Sequence, residues 1–439
     1  MDPGAGSPRR RNRFDLRAAA GRPPDGWHDS SDSSPRFLFY SNECVGLGHL
    51  RRCLRLARGL TEANPESSAL IVTGSPAATS YSLPPRVDLV KLPALARDEE
   101  GNHLPERLAV DVDVVSRVRS RLAVTVASEF APTVAVIDKT PLGLRGELVP
   151  VLELLETRSC RLVLGLRDVE DGAENLRRRW AQAGVREALE RWYDAILVYG
   201  PRTSGDALDC LGWHDLGIPV HHVGYVGPRM ADRGPSNLPP DYLLATAGGG
   251  VDGYPLLSRF VEALRLRPLP CPSVVVAGPL MPASQLARLR ERAAGLDVRV
   301  EQFRQDMDSV IVGARAVVSM AGYNTVSELL IAGKAGLIVP GVRPSREQKL
   351  RAQMLAVSGM VHVLDPETLD PESMRAALDR LLESPPPRVE RGQYHGAARA
   401  TAIVSELAEA ESPADPNGSE AVTGHRRTSS VTGPGLPRA

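Results

Sequence analysis

Paired cysteines are missing from this chain. Its five cysteines, Cys44, Cys53, Cys160, Cys210 and Cys271, form no C-x-x-C pair, which argues against a zinc site and against a disulfide framework. A reducing compartment is the natural setting, so a cytoplasmic location is expected. Long apolar runs are missing too: none approaches the roughly 18 residues of a membrane span, and the basic N-terminus has no continuous apolar h-region. Neither export nor a transmembrane segment is expected. Net charge is absent, with 53 basic residues against 53 acidic ones. No global field draws in nucleic acid or an anionic membrane, so a charged ligand must be held by local groups. Lysine is scarce, Lys91, Lys139, Lys334 and Lys349 being all there are; the arginine-rich remainder reads as composition rather than function.

What is present is a repeated alternation of short apolar runs, glycine turns and helical spacing. Residues 1–35 and 411–439 are rich in Arg, Pro, Gly and Ser and are expected to be disordered tails, because they bury too little apolar surface to offset ordering entropy. From Arg36 the runs "RFLFYS", "ALIVTG" (69–74), "VDLVKL" (87–92), "TVAVID" (133–138), "RLVLGL" (161–166) and "AILVYG" (195–200) read as strands. Helical stretches over Arg107–Phe130 and Leu144–Thr157 separate several of them. Gly and Pro crowd residues 226–240, which predicts a linker. The theme then restarts with "DYLLATAGGG", "PSVVVAGP", "VRVEQF", "ARAVVSM" and "AGLIVPG". The alternation predicts an α/β fold of two Rossmann-like parallel-sheet domains, 36–225 and 241–385, facing a cleft, with a C-terminal helix over 386–410.

Three glycine turns precede predicted helix N-termini: Gly46 and Gly48; Gly248, Gly249 and Gly250; and Gly322 with Asn324. Unpaired backbone N–H groups and the positive end of a helix dipole favour a diphosphate there, and a Cβ would hold it away. Each turn also has a purely structural reading. "TVSE" over Thr325–Glu328 fits a capping box with Thr325 as N-cap; alternatively, the Glu328 carboxylate accepts from the vicinal hydroxyls of a ribose. His49, directly after "GLG", is a general base at a strand end or merely a polar residue near a turn. Asp138 ends a strand and is a second candidate base or a turn residue.

The stretch "MAGYNTVSELLIAGKAGLIVPGVRPSREQKLRAQ", with "VEQFRQDMDSVIVGARAVVS" before it, strongly resembles the C-terminal signature of glycosyltransferase family 28. About a hundred residues lie in one register. The resemblance implies the GT-B architecture, a nucleotide-sugar in the C-terminal domain, an acceptor mostly in the N-terminal one, and no required metal or other cofactor. It puts Glu328 where the family's ribose-binding glutamate lies, Gly322 and Thr325 near the diphosphate, and Gln348 towards the donor sugar. Phe303 and Arg304 fall where the family lines its base pocket, the backbone of the second recognising uracil. The 248–250 turn matches the family loosely, "GVDG" replacing a usual Ser and Gln. The N-terminal "GLGHLRRCLRLA" is more similar to the UDP-sugar hydrolase of pseudaminic-acid synthesis and to uncharacterised bacterial proteins grouped as predicted glycosyltransferases. In that hydrolase the histidine matching His49 is catalytic. The family's apolar membrane-docking patch is not evident in this sequence.

Together these readings predict an inverting glycosyltransferase that moves a hexose-type sugar from a UDP-sugar to an acceptor, with His49 or Asp138 as base. The alternatives are a nucleotide-sugar hydrolase and a noncatalytic binding module. The expected partners are a nucleotide-sugar and an acceptor whose identity no motif gives, not nucleic acid; peripheral membrane contact stays an open alternative.

Overall fold

The computed structural model describes residues 34–410 except 43–47, 99–101, 171–172, 183, 203–205, 229–236, 342–345, 386 and 388–394. All but residues 34 and 35 of the expected tails, most of the expected linker and Gly46 therefore lie outside the described residues.

The first half runs β1 (Arg36–Ser41), α1 (Gly48–Ala63), β2 (Ser68–Thr73), β3 (Val87–Lys91), a small hairpin of β4 (Leu95–Arg97) and β5 (His103–Pro105), and α2 (Val112–Phe130). It continues with β6 (Val134–Asp138), α3 (Val149–Glu156), β7 (Arg161–Arg167), α4 (Ala173–Gln182), α5 (Val185–Trp192), β8 (Ala195–Tyr199), α6 (Ala207–Leu211) and β9 (Val220–His222). These strands make a seven-stranded parallel sheet in the order β3-β2-β1-β6-β7-β8-β9. Phe37 to Tyr40 of β1 are all buried, as a strand covered by helices on both faces requires.

The second half runs β10 (Leu243–Thr246), α7 (Tyr254–Leu266), β11 (Ser273–Val276), α8 (Ala283–Ala293), β12 (Val298–Glu301), α9 (Met307–Gly313) and β13 (Ala316–Ser319). It ends with α10 (Tyr323–Ile331), β14 (Ala335–Ile338), α11 (Glu347–Val357), β15 (His362–Val363), α12 (Pro371–Glu383) and α13 (Gly396–Glu409). Its sheet is parallel, in the order β12-β11-β10-β13-β14-β15. The chain is thus two parallel-sheet α/β domains. The last helix, α13, crosses back to pack on α1, β6 and β7 of the first sheet.

The C-terminal helix expected over 386–410 is α13, which starts only at Gly396 after its N-cap His395, and in the first half two helix boundaries differ from expectation. Helix α2 starts at Val112 rather than Arg107, because the Asp111 carboxylate accepts from Asp113 N (2.7 Å) and caps it. The stretch from Leu144 opens as a short 3₁₀ turn; positive φ at Arg145 (54°) and Gly146 (76°) breaks it from α3.

In both sheets chain order reverses beside one strand, β1 between β2 and β6 and β10 between β11 and β13. Ligands of open α/β sheets bind beyond the carboxyl ends of strands at such switch points. The start of α1 and the turns after β10 and β13 meet at one cleft.

Candidate active site

The cleft encloses about 200 Å³ and is lined from both domains, by Gly48, His49, Arg51, Arg52, Tyr81 and Arg167 on one side and by the strand ends of the second sheet on the other. His49 is the second residue of α1. Its Nδ1 is hydrogen-bonded to Oδ2 of Asp138, the last residue of β6. The two residues read separately as candidate bases therefore form one hydrogen-bonded pair.

Asp138 is buried and also accepts from Arg52, through Nε to Oδ1 (3.0 Å) and Nη2 to Oδ1 (2.8 Å) and Oδ2 (2.7 Å). Burial alone would raise its pKa, but the Arg52 charge and His49 outweigh burial and hold it down at about 2. An ionised Asp138 can only accept, so His49 Nδ1 must donate. Burial is also the main influence on His49, lowering its pKa to about 4 with help from the Arg167 and Arg52 charges, against the opposing pull of Asp138. At neutral pH the imidazole is uncharged, with Nδ1 protonated and Nε2 the basic nitrogen.

Across the cleft, α10 begins with Gly322 as N-cap and no side-chain cap. A Cβ at Gly322 would meet nothing within 4 Å, so the cleft is open beside the uncapped N-terminus, the end of a helix that favours an anion. The capping-box reading of Thr325 and Glu328 is corrected: the helix starts three residues earlier, which leaves Thr325 inside its first turn. Glu328, 1% exposed, instead receives Arg51 Nη2 and Arg55 Nη2 on Oε1, each at 2.7 Å. Its other oxygen, Oε2, is buried with no hydrogen-bond partner among the described residues. Asn324 Nδ2 donates to Gly48 O (3.0 Å), tying the starts of α10 and α1 together.

The remaining candidates divide. Gly248 and Gly249 line the cleft, whereas Gly250 does not; Gly250 has φ +91°, and a Cβ there would lie 2.6 Å from Ala277 O, so its glycine serves the turn itself. Phe303 lines the cleft with its ring edge-on to Tyr81, centroids 5.9 Å apart. Arg304 also lines it, and its guanidinium is taken up by Asp306 (2.8 and 2.6 Å) and Glu301 (3.1 and 3.3 Å). Gln348 is not among the lining residues; its Oε1 accepts from Gly341 N (3.1 Å). Sequence reasoning missed Arg51, Arg52 and Arg55, although "HLRRCLR" puts two of them one helical turn apart directly after His49. It also missed the strand ends around Asp138, where Ser41 Oγ, Asn42 Oδ1, Thr140 Oγ1 and Glu170 Oε1 are buried without partners among the described residues. No group of three or more His, Cys, Asp or Glu side chains suited to a metal ion occurs among the described residues, and none of their helices is long and apolar enough to cross a membrane.

The Glu328 turn lies inside a segment with known counterparts. Residues 279–407 match the glycosyltransferase family 28 C-terminal domain. The resemblance read from the sequence thus holds for the C-terminal part of the chain. Over 168 residues the chain is 34% identical to the UDP-N-acetylglucosamine–N-acetylmuramyl-(pentapeptide) pyrophosphoryl-undecaprenol N-acetylglucosamine transferase of Phenylobacterium zucineum, covering 37% of this chain and 45% of that protein. The transferase of the same name from Mesorhizobium japonicum is 34% identical over 106 residues, 24% of this chain and 28% of that protein. The chain therefore spans less than half the length of these two relatives. Among solved structures, the glycotransferase of kitacinnamycin superposes with a TM-score of 0.57 at 17% identity, covering 85% of this chain and 99% of that one. Medicago truncatula UGT71G1 complexed with UDP-glucose gives 0.53 at 14% identity, with 85% and 98% covered. At such identities the likeness is one of fold, the two-domain GT-B architecture.

Proposed function

We propose that this protein is an inverting glycosyltransferase that moves a hexose-type sugar from a UDP-sugar to an acceptor hydroxyl. One observation carries the reading: His49, held from behind by the buried Asp138, lines one cleft with the uncapped N-terminus of α10 and with Glu328, whose Oε2 is unpartnered one and a half turns further on. The family 28 match over the same turn supports a nucleotide-sugar as the ligand.

In this reading the diphosphate lies at the N-terminus of α10, where N–H groups and the helix dipole neutralise charge as it develops. Glu328 Oε2 accepts from a ribose hydroxyl, which ends its lack of a partner. The turns carrying Gly248 and Gly249 complete the donor side, and Phe303 with the Arg304 backbone meets the base. His49 Nε2 takes the proton of the acceptor hydroxyl as the oxygen attacks C1 of the sugar. The C1–O bond to the diphosphate breaks, its electron pair leaves with UDP, and the anomeric configuration inverts. Asp138 stabilises the imidazolium that forms. The unpartnered polar atoms of Ser41, Asn42, Thr140 and Glu170 at the strand ends of the first sheet favour that side for the acceptor.

The test is UDP release by the full chain from a panel of nucleotide-sugars, with and without candidate acceptors. Slow release that an acceptor accelerates supports the transferase. Fast release of UDP and free sugar without acceptor makes water the acceptor, and saturable binding with no turnover reduces the protein to a binding module.

A further inference from the structure

We propose that Tyr323, on the donor side of the cleft, acts through Arg52 as a positioning residue for the His49–Asp138 pair, so that the general base is set by contact between the two domains. The inference rests on the reading of His49 as base and goes beyond it.

Arg52 is 1% exposed. Its three bonds to Asp138 use Nε and Nη2, and Nη2 also stands 3.1 Å from His49 Nδ1. Its guanidinium carbon lies 4.9 Å from the ring centroid of Tyr199 and 5.0 Å from that of Tyr323. A planar cation bonded along its edge and met by aromatic rings is fixed in direction in a way that a lysine could not reproduce. Tyr199 belongs to β8 of the first sheet and comes so close to β7 that a Cβ on Gly165 would lie 2.3 Å from its hydroxyl. Tyr323 belongs to the other domain. It follows Gly322 as the first residue of α10, its hydroxyl accepts from Val226 N (3.0 Å), and the Arg351 guanidinium stands 5.7 Å from its ring. A continuous set of contacts therefore runs from the α10 turn through Tyr323 and Arg52 to Asp138 and His49.

The consequence is measurable at His49 itself. The charged groups acting on it are Asp138 from β6, Arg52 from α1 and Arg167 from β7, with the neutral phenols of Tyr199 and Tyr323 packed on Arg52. Removing the Tyr323 ring opens Arg52 and the imidazole to water, and loss of burial raises the pKa of a histidine.

The experiment is ¹⁵N NMR of histidine-labelled full-length protein across pH, with His49→Gln assigning the signal. In the parent, His49 is expected as the Nδ1–H tautomer titrating near pH 4. Tyr323→Leu should raise that midpoint by about one pH unit, a tenfold change in proton affinity, and mix the tautomers. Tyr323→Phe, which keeps the ring, should titrate as the parent does. Arg52→Lys should also shift the midpoint upward and mix the tautomers, because the edge-on fork is lost while the charge is kept. Should Tyr323→Leu fail to fold, Tyr323→Gln, polar and ringless, takes its place. A parental titration and tautomer in the ringless variant overturns the proposal. The base reading is judged separately, by turnover of His49→Gln: loss of turnover there with an unmoved titration in the ringless variant rejects the coupling alone.

Discussion

Glu328 of α10 and Arg55 of α1 meet at 2.7 Å between the two domains, 273 residues apart in the chain. Asp308 accepts from the same Arg55 nitrogen at 2.7 Å, so the arginine keeps an acidic partner when Glu328 is lost. Helix α10 starts at Gly322 without help from Glu328. Glu328→Ala is therefore expected to leave a folded protein and to weaken UDP binding by roughly 1.5–3 kcal/mol, the worth of a hydrogen bond to a charged group. Calorimetric titration with UDP checks this; unchanged affinity would remove the ribose role.

Two glycines separate binding from folding. Gly322 has φ −63°, and a Cβ there meets nothing within 4 Å, so Gly322→Ala should preserve the melting temperature while weakening UDP by about tenfold or more, as a methyl group enters an anion site. Gly250 has φ +91° and no room for a Cβ. Gly250→Ala should lower stability by about 1 kcal/mol or more. Melting and UDP titration of both variants test the assignment; a destabilised Gly322→Ala with parental affinity would reverse it.

Much of this architecture was readable in advance. The strands at 36, 69, 133, 161 and 195 stand out because parallel strands buried on both faces are continuous apolar runs, whereas the one at 87 is the sheet's edge strand, with Val87 alone buried in "VDLVK". What was not readable was tertiary. His49 and Asp138 are 89 residues apart, and no local pattern says that β1 and β6 lie side by side. "TVSE" satisfies the capping-box spacing, yet the helix starts at the glycine before it, where the chain turns out of β13. Nor could composition reveal that α13 returns to the first sheet, where Gly396 packs so tightly that a Cβ would lie 2.4 Å from Gly224 O.

Acid should destabilise the protein in two stages. His49 has its folded pKa lowered from 6.5 to about 4, so below about 6.5 the unfolded chain binds a proton that the folded one refuses, and stability falls as pH drops towards 4. Asp138 is held down from 3.8 to about 2; its contribution is present above about 3.8 and is lost as pH falls through 2. Denaturant titrations at stepped pH should show both declines in the parent. His49→Gln should remove the first, and an identical slope between pH 6.5 and 4 in that variant would exclude His49 as its source.

The central claim is that His49 removes the acceptor proton, and the most direct measurement is the pH dependence of turnover in the parent beside turnover of His49→Gln. The account predicts a fall of about 10² to 10⁴ in the chemical step, the range of lost acid–base catalysis, with UDP affinity little changed because the nucleotide is assigned to the other domain. In the parent the acid limb should lie near pH 4 rather than at the ordinary imidazole value. Near-parental turnover of His49→Gln, with the acid limb in place, would contradict it.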